Sequence, residues 1–227
     1  MKSSLAIVLL GIGIFIACSG YKSAGSQQGT NNGAPPGQSS VQTNDTAGQE
    51  KPPCSLTMDQ APVINGLRLG MTPEQVLALF PGSSEDAEVR ASLSSPPSQF
   101  GVSSFVIRPE RYESKEKFAG VSQISLTQLD GRVSSFSIGY NGPEFSHVDK
   151  FVAKFVAGTN LPPPAHWESY VGMDNQLKTL KCADFEARVF AGGPGGNLNY
   201  VLMRDLVADK KLKERRDKAE AKATPTP

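Results

Sequence analysis

Three cysteines carry most of the chemistry this chain can offer, and the segment around each one sets what its thiol can do. Cys18 follows Phe15-Ile16-Ala17. Ahead of it lies an uncharged, mostly apolar stretch over residues 5–16, behind a single basic Lys2. A basic start, a short apolar region and a small residue compose an export signal. A cysteine directly after that small residue predicts a bacterial lipobox, cut before Cys18 and lipidated on its sulfur, with Phe15 where such boxes usually carry Leu. The apolar stretch is shorter than the roughly 20 residues needed to cross a bilayer, which disfavours a permanent span. A non-lipidated secreted form and a short uncleaved anchor remain as alternatives. Export would place Cys54 and Cys182 in an oxidising compartment, where an even pair is expected to form a disulfide. Two reduced, buried thiols are the alternative.

Other constellations are sparse. The chain has two histidines, His147 and His166, and neither has Cys, His or carboxylate neighbours at metal-ligand spacing. There is no G-x-S-x-G, and Gly192 to Gly196 lacks the Gly-Lys-Ser/Thr ending of a phosphate cradle, so it reads as a turn. Asp and Glu are scattered without paired spacing. No catalytic residue, cofactor or metal ligand is therefore assigned, and the chain is read as non-enzymatic. Trp167, the single Trp, reads as core. If it were exposed beside Tyr170 and Met173, those three would form the leading contact patch.

Composition bounds the partners. A formal charge of +1 is too small to argue for nucleic acid. Residues 19–53 are almost wholly Ser, Gly, Gln, Asn, Thr and Pro, a composition that cannot offset its own ordering entropy. As a flexible tether they would span roughly 30–35 Å. The expected organisation is a signal peptide over 1–17, the lipidated Cys and tether over 18–53, an α+β domain over 54–208, and a charged helical or disordered tail over 209–227. Residues 204–223 hold eight Lys or Arg against five Asp or Glu, a solvated pattern with little apolar face beyond Leu206, Val207 and Leu212.

The elements that must position these residues are legible in places. Thr72 is a good N-cap, Pro73 suits the first helical position, Gln75 can complete a capping box, and Met71 can meet Val76 as a staple. Pro81-Gly82 ends that helix. Phe145, Val148, Phe151, Val152, Phe155 and Val156 predict a second helix over 145–157, with His147 on its polar side. Strands are expected at 101–108, 121–129 and 132–140, then near 177–182, 184–191 and 198–204. Residues 83–99 read as a Ser- and Pro-rich mobile loop, and residues 159–166 as an extended connector. The fold class is α+β: a two-layer antiparallel meander packed by two helices, with a charged C-terminal helix. The order of helix and three strands, repeated, hints at internal duplication.

The hairpin at Asp130-Gly131 constrains register. A two-residue turn there would pair Leu126 with Ser135 and leave Ile124 and Leu126 on the opposite face from Phe136, Ile138 and Tyr140. Pairing Leu126 with Phe136 and Ile124 with Ile138 unites them, so a three-residue loop or a bulge is expected at Asp130-Gly131-Arg132.

Leu67-Arg68-Leu69-Gly70-Met71-Thr72 with Glu74-Gln75-Val76, and the later Asp130-Gly131-Arg132-Val133, resemble the BamE (SmpA/OmlA) lipoprotein family. They are similar too to the repeat of β-lactamase-inhibitory proteins. The resemblance implies a helix entered from a tight turn and packed on an antiparallel sheet, and a domain that binds proteins rather than catalyses. The resulting expectation is a cell-envelope lipoprotein held to a membrane through Cys18, facing periplasm or exterior, whose domain binds or scaffolds another envelope protein. An extracytoplasmic small-ligand-binding module or a hydrolase-type enzyme without a recognisable motif is the alternative.

Overall fold

In the computed structural model, residues 54–170, 172, 176–192 and 199–223 are described. They belong to one unit, which spans Gly48–Pro227. Cys18, the tether, Met173 and most of the Gly192 to Gly196 turn lie outside the described residues. Seven strands form one sheet: β1 Val102–Ile107, β2 Val121–Leu129, β3 Arg132–Tyr140, β4 Glu168–Ser169, β5 Leu177–Lys181, β6 Phe185–Phe190 and β7 Asn199–Asp205. Their order is β1-β2-β3-β7-β6-β5-β4, and every pairing is antiparallel. Among the described residues, four α-helices accompany the sheet: α1 Pro73–Leu77, α2 Ala87–Ser94, α3 Val148–Val156 and α4 Leu206–Ala223. The fold is α+β, and the expected strands match within a residue or two.

The pleat puts alternate residues on one face, and here that face is the core. Phe105, Leu126, Phe136, Met203, Ala187 and Leu180 line up across six strands, all nearly inaccessible. A second row runs Ile107, Ile124, Ile138, Val201, Val189 and then Lys178. The lysine ends that row because α3 packs on β5 and β6 there and offers Asp149, 3.3 Å from its Nζ. The opposite face carries small hydroxyl side chains such as Ser125, Thr127, Ser135 and Ser137, all half-buried.

The register Leu126 with Phe136 and Ile124 with Ile138 is present. Its device is not where the sequence placed it. Leu129 pairs directly with Arg132, so Asp130-Gly131 is a tight two-residue turn, with φ 52° and 72°. Such a turn needs two left-handed residues, which Asp tolerates and Gly adopts freely. The slip comes instead at Ser134, an extra residue bulged between Val133 and Ser135. Its position follows from the edge it faces. Val133 N–H donates to the Met71 carbonyl at 2.9 Å, and its carbonyl accepts from Gly70 N–H at 2.8 Å. The Gly70-Met71 turn thus continues the ladder past Ser135, where β7 ends its pairing.

Helix α1 carries the expected capping box: Gln75 N–H donates to Thr72 Oγ1 at 3.3 Å, and Thr72 N–H to Gln75 Oε1 at 2.9 Å. Met71 and Val76 are both buried. Residues 83–99 are not a structureless loop. A 3-10 turn at Ser83–Glu85 leads to α2, where Asp86 Oδ1 accepts from Glu88 N–H at 2.8 Å and Val89 N–H at 3.3 Å. Val89 is buried, and α2 lies against β1. One cap and one anchor outweigh the Ser-rich composition. Helix α4 leaves β7 without a break, so the expected boundary at 208/209 falls inside it.

Candidate functional site

The predicted thiol pair is joined. Cys54 and Cys182 form a disulfide that staples the start of the folded region to the end of β5, across a sequence separation of 128. Backbone bonds reinforce the staple: Ala183 N–H donates to the Leu56 carbonyl at 3.1 Å, and Met58 N–H to Asp184 Oδ2 at 3.1 Å.

Trp167 sits in the core, as expected of it, so the contact patch that depended on its exposure does not form around it. Trp167 is fully buried, its Nε1–H donates to the Pro162 carbonyl at 2.9 Å, and Phe155 meets it edge-on. The Pro-rich connector supplies the acceptor that lets an indole sit in the core. Tyr170 is exposed, and Met173 lies outside the described residues. The two histidines stand apart. His147 is the N-cap of α3 rather than a residue of its polar side, with Nδ1 3.2 Å from the Asp149 amide nitrogen. The same Nδ1 is 3.2 Å from the Asp149 carboxylate, so the imidazole lies against both the amide and the side chain of the first helical turn. His166 closes a 3-10 turn at Pro164–His166. Among the described residues, no group of three or more His, Cys, Asp or Glu is placed to hold a metal ion. No helix among them is long and apolar enough to cross a membrane.

A site the residue patterns did not announce lies between α3 and the end of β3. It is a half-open cleft of about 260 Å³. One wall is residues 63–65, where Ile64 and Leu67 exchange backbone hydrogen bonds at 2.9 Å around a two-residue Asn65-Gly66 turn. Both turn residues have positive φ, 53° and 92°, and a Cβ on Gly66 would stand 3.1 Å from Leu79. The second wall is the loop Gly142-Pro143 to Phe145. Asn199, buried on β7, fixes it by donating from Nδ2 to the Pro143 carbonyl at 2.7 Å while its Oδ1 accepts from Gly192 N–H at 3.0 Å. The floor is Phe151, stacked on Phe145 with centroids 4.6 Å apart and edge-on to Tyr140 at 5.9 Å. The third wall is the C-terminal end of α3, with Lys154, Phe155 and Gly158.

Helix α3 and the loop that leads into it therefore do two jobs. Val148 and Val152 are fully buried against the sheet, whereas Phe145 and Phe155 are only partly covered and line the cleft. Burial pushes the Tyr140 phenol up to about 12, so it stays a neutral donor at any physiological pH. The cleft is lined by the Tyr140 phenol, the Thr159 hydroxyl and the Lys154 ammonium among apolar side chains. It offers an apolar seat with a phenol, an amide and an ammonium at its edge.

Two other clusters are structural. Asp130 takes Lys211 Nζ at 2.7 Å and both terminal nitrogens of Arg215 at 2.9 and 2.7 Å, clipping α4 to the β2–β3 turn. Hydrogen bonds from Arg215 first and Lys211 second hold the Asp130 carboxyl far below the usual carboxylate range. Beside this clip a groove of about 610 Å³ runs under α4, where Arg204, Lys213 and Arg216 are matched by Asp209, Asp217 and Glu220. On the other side of the sheet, Glu88 bridges Arg108 at 2.7 Å and Arg111 at 2.9 Å, and Asp86 accepts from the Tyr112 hydroxyl at 3.0 Å. Burial pushes Asp86 up, but its bonds from Glu88 N–H, the Tyr112 hydroxyl and Val89 N–H, with the charge of Arg111, hold it below its ordinary value.

No family model, curated protein or solved structure matches the chain.

Proposed function

We propose that this chain is a bacterial envelope lipoprotein, anchored through Cys18, whose α+β domain docks another envelope protein and catalyses nothing. The observation that carries the docking role is the aromatic cleft of about 260 Å³. Small-molecule sites usually enclose about 300–1,000 Å³. This one is smaller and half open, a fit for one large side chain of a partner. Burying such a side chain contributes about 1.5–3 kcal/mol, enough to anchor a longer contact but not to hold a ligand alone. The export signal, the polar residues 19–53 and the resemblance around Leu67 to Val76 support the anchored, partner-binding reading. The run α1-α2-β1-β2-β3 followed by α3-β4-β5-β6-β7, with β3 beside β7, is an approximate repetition of helix and antiparallel strands, and it supports internal duplication as the origin of the sheet.

The test uses the full chain in its native membrane. A photo-crosslinking residue replaces Val63 at the cleft rim, 57% exposed, or Val207 on α4, 59% exposed, as the matched control. A discrete cross-linked protein from position 63 and not from 207, lost when Phe155→Ala is added, is the expected result. Equal labelling from both positions would overturn the docking role. Cys18→Ser is expected to move the protein from the membrane to the soluble fraction, and unchanged fractionation would sink the anchor.

A further inference from the structure

The cleft is apolar within and polar in a specific way at its edge. Among the described residues, two of its lining side chains are donors without an acceptor. Among the described residues the Tyr140 hydroxyl has no hydrogen-bond partner, although most of the ring is desolvated. Lys154 lines the same cleft, and among the described residues no carboxylate lies within ion-pair distance of its ammonium. Asp149 on the same helix is taken by Lys178, and Glu144 in the wall loop does not line the cleft. A purely apolar occupant would cover the Tyr140 hydroxyl without giving it an acceptor, which costs free energy, and would make no use of the Lys154 ammonium at the edge. A cationic occupant would meet Lys154 with like charge. An acceptor attached to the apolar group satisfies both donors, and a carboxylate does so with charge assistance.

We propose that the cleft takes an extended segment of the partner protein in which an aromatic or branched apolar side chain neighbours a carboxylate. The apolar group fills the space lined by Phe145 and Phe155, and the carboxylate meets Lys154 and Tyr140. The inference rests on the docking role and adds the chemistry of the partner. The volume admits one large side chain, so the carboxylate must stand beside the anchor rather than in the seat.

The full chain in detergent micelles is titrated with acetyl-Ala-Phe-Glu-amide, its Gln counterpart, and 3-phenylpropionate, followed by backbone amide NMR. Concentrations reach about 100 mM, above the roughly 6–80 mM expected of one such anchor. The Glu peptide is expected to shift the amides of Lys154, Phe155 and Thr159 and to bind about fivefold tighter than the Gln peptide, the scale of one half-exposed ion pair. Lys154 is exposed, so Lys154→Gln keeps the fold. It should erase the difference while leaving the Gln peptide unchanged. Tyr140→Phe should lower the Glu preference in part. Equal binding of the two peptides would overturn the carboxylate chemistry and leave the docking role standing. Tighter binding of 3-phenylpropionate than of the Glu peptide would overturn the peptide occupant. Cleft amides that move with no probe would overturn both the inference and the docking role.

Discussion

Removing the Cys54–Cys182 bridge perturbs the unfolded chain far more than the folded one. Cys182 is 5% exposed, so alanine at both positions is the clean replacement; serine would bury a hydroxyl without a partner. The native ends stay close, because Ala183 N–H to the Leu56 carbonyl and Met58 N–H to Asp184 Oδ2 hold the segment independently of the sulfurs. What changes is the unfolded ensemble. A sequence separation of 128 closes a loop whose chain entropy corresponds to about 5 kcal/mol at 25 °C. Residual compactness of the unfolded chain subtracts from this, so the expected loss is about 3–5 kcal/mol. For a domain of about 150–250 residues each kcal/mol shifts Tm by about 2–4 °C, which gives a fall of roughly 6–20 °C. Urea unfolding followed by Trp167 fluorescence measures it, since the buried indole reports loss of the core. The urea m-value should rise, because the unbridged chain exposes more surface. A loss below about 1 kcal/mol with an unchanged m-value would refute the reasoning.

Three further perturbations test other parts of the structure. Trp167→Phe leaves the Pro162 carbonyl without its indole donor and a void in the core, so denaturant unfolding should show a loss of about 2–3 kcal/mol; a loss under 0.5 would contradict the buried placement. Tyr140 and Tyr112 are both raised to about 12, each chiefly by burial. A neutral acid with a raised folded value stabilises fully below the unfolded value near 10, and that contribution is lost as pH rises through 12. Stability should therefore fall between pH 10 and 12, and Tyr140→Phe should make that fall shallower; an unchanged slope would contradict burial of the phenol. Asp130 has a lowered folded value, so its contact with Lys211 and Arg215 holds above the ordinary carboxylate range and is lost only as pH falls well below it. Hydrogen exchange of α4 amides should stay slow down to about pH 4 and quicken in Asp130→Asn at neutral pH. Equal exchange in both proteins would remove the clip.

Short-range signals were enough for much of the fold. Thr72, Pro73 and Gln75 announce α1 because a cap needs only the first turn. Alternation over 121–129 and 132–140 announces two strands and their shared face, because period two decides which residues are buried. The missed helix α2 had a readable cap in Asp86, masked by the serines around it. His147 was placed within the helix because the apolar rhythm begins at Phe145, yet its imidazole caps the helix instead. The cleft was out of reach for a different reason. Its walls come from residues 63–65, 140–145 and 151–159, and it opens only where those three segments dock. Phe145, Phe151 and Phe155 form a legible stripe, but periodicity does not say which of them stay partly uncovered.

By itself the sequence determined most of the elements, though not α2 or β4, together with the buried face of the sheet and the pairing expected of Cys54 and Cys182, since each depends on neighbours along the chain or on counting. Tertiary structure decided the rest. It moved the register device from the Asp130-Gly131 turn to Ser134, because Gly70 and Met71 claim the backbone of Val133. It gave the buried Trp167 its acceptor, because the Pro162 carbonyl lies 2.9 Å from the indole nitrogen. It made a seat from Phe145 and Phe155, because α3 faces the sheet with Val148 and Val152 and leaves those rings at its margin. Each outcome turns on which distant segment arrives first at a shared backbone or side-chain partner, and no local pattern encodes that.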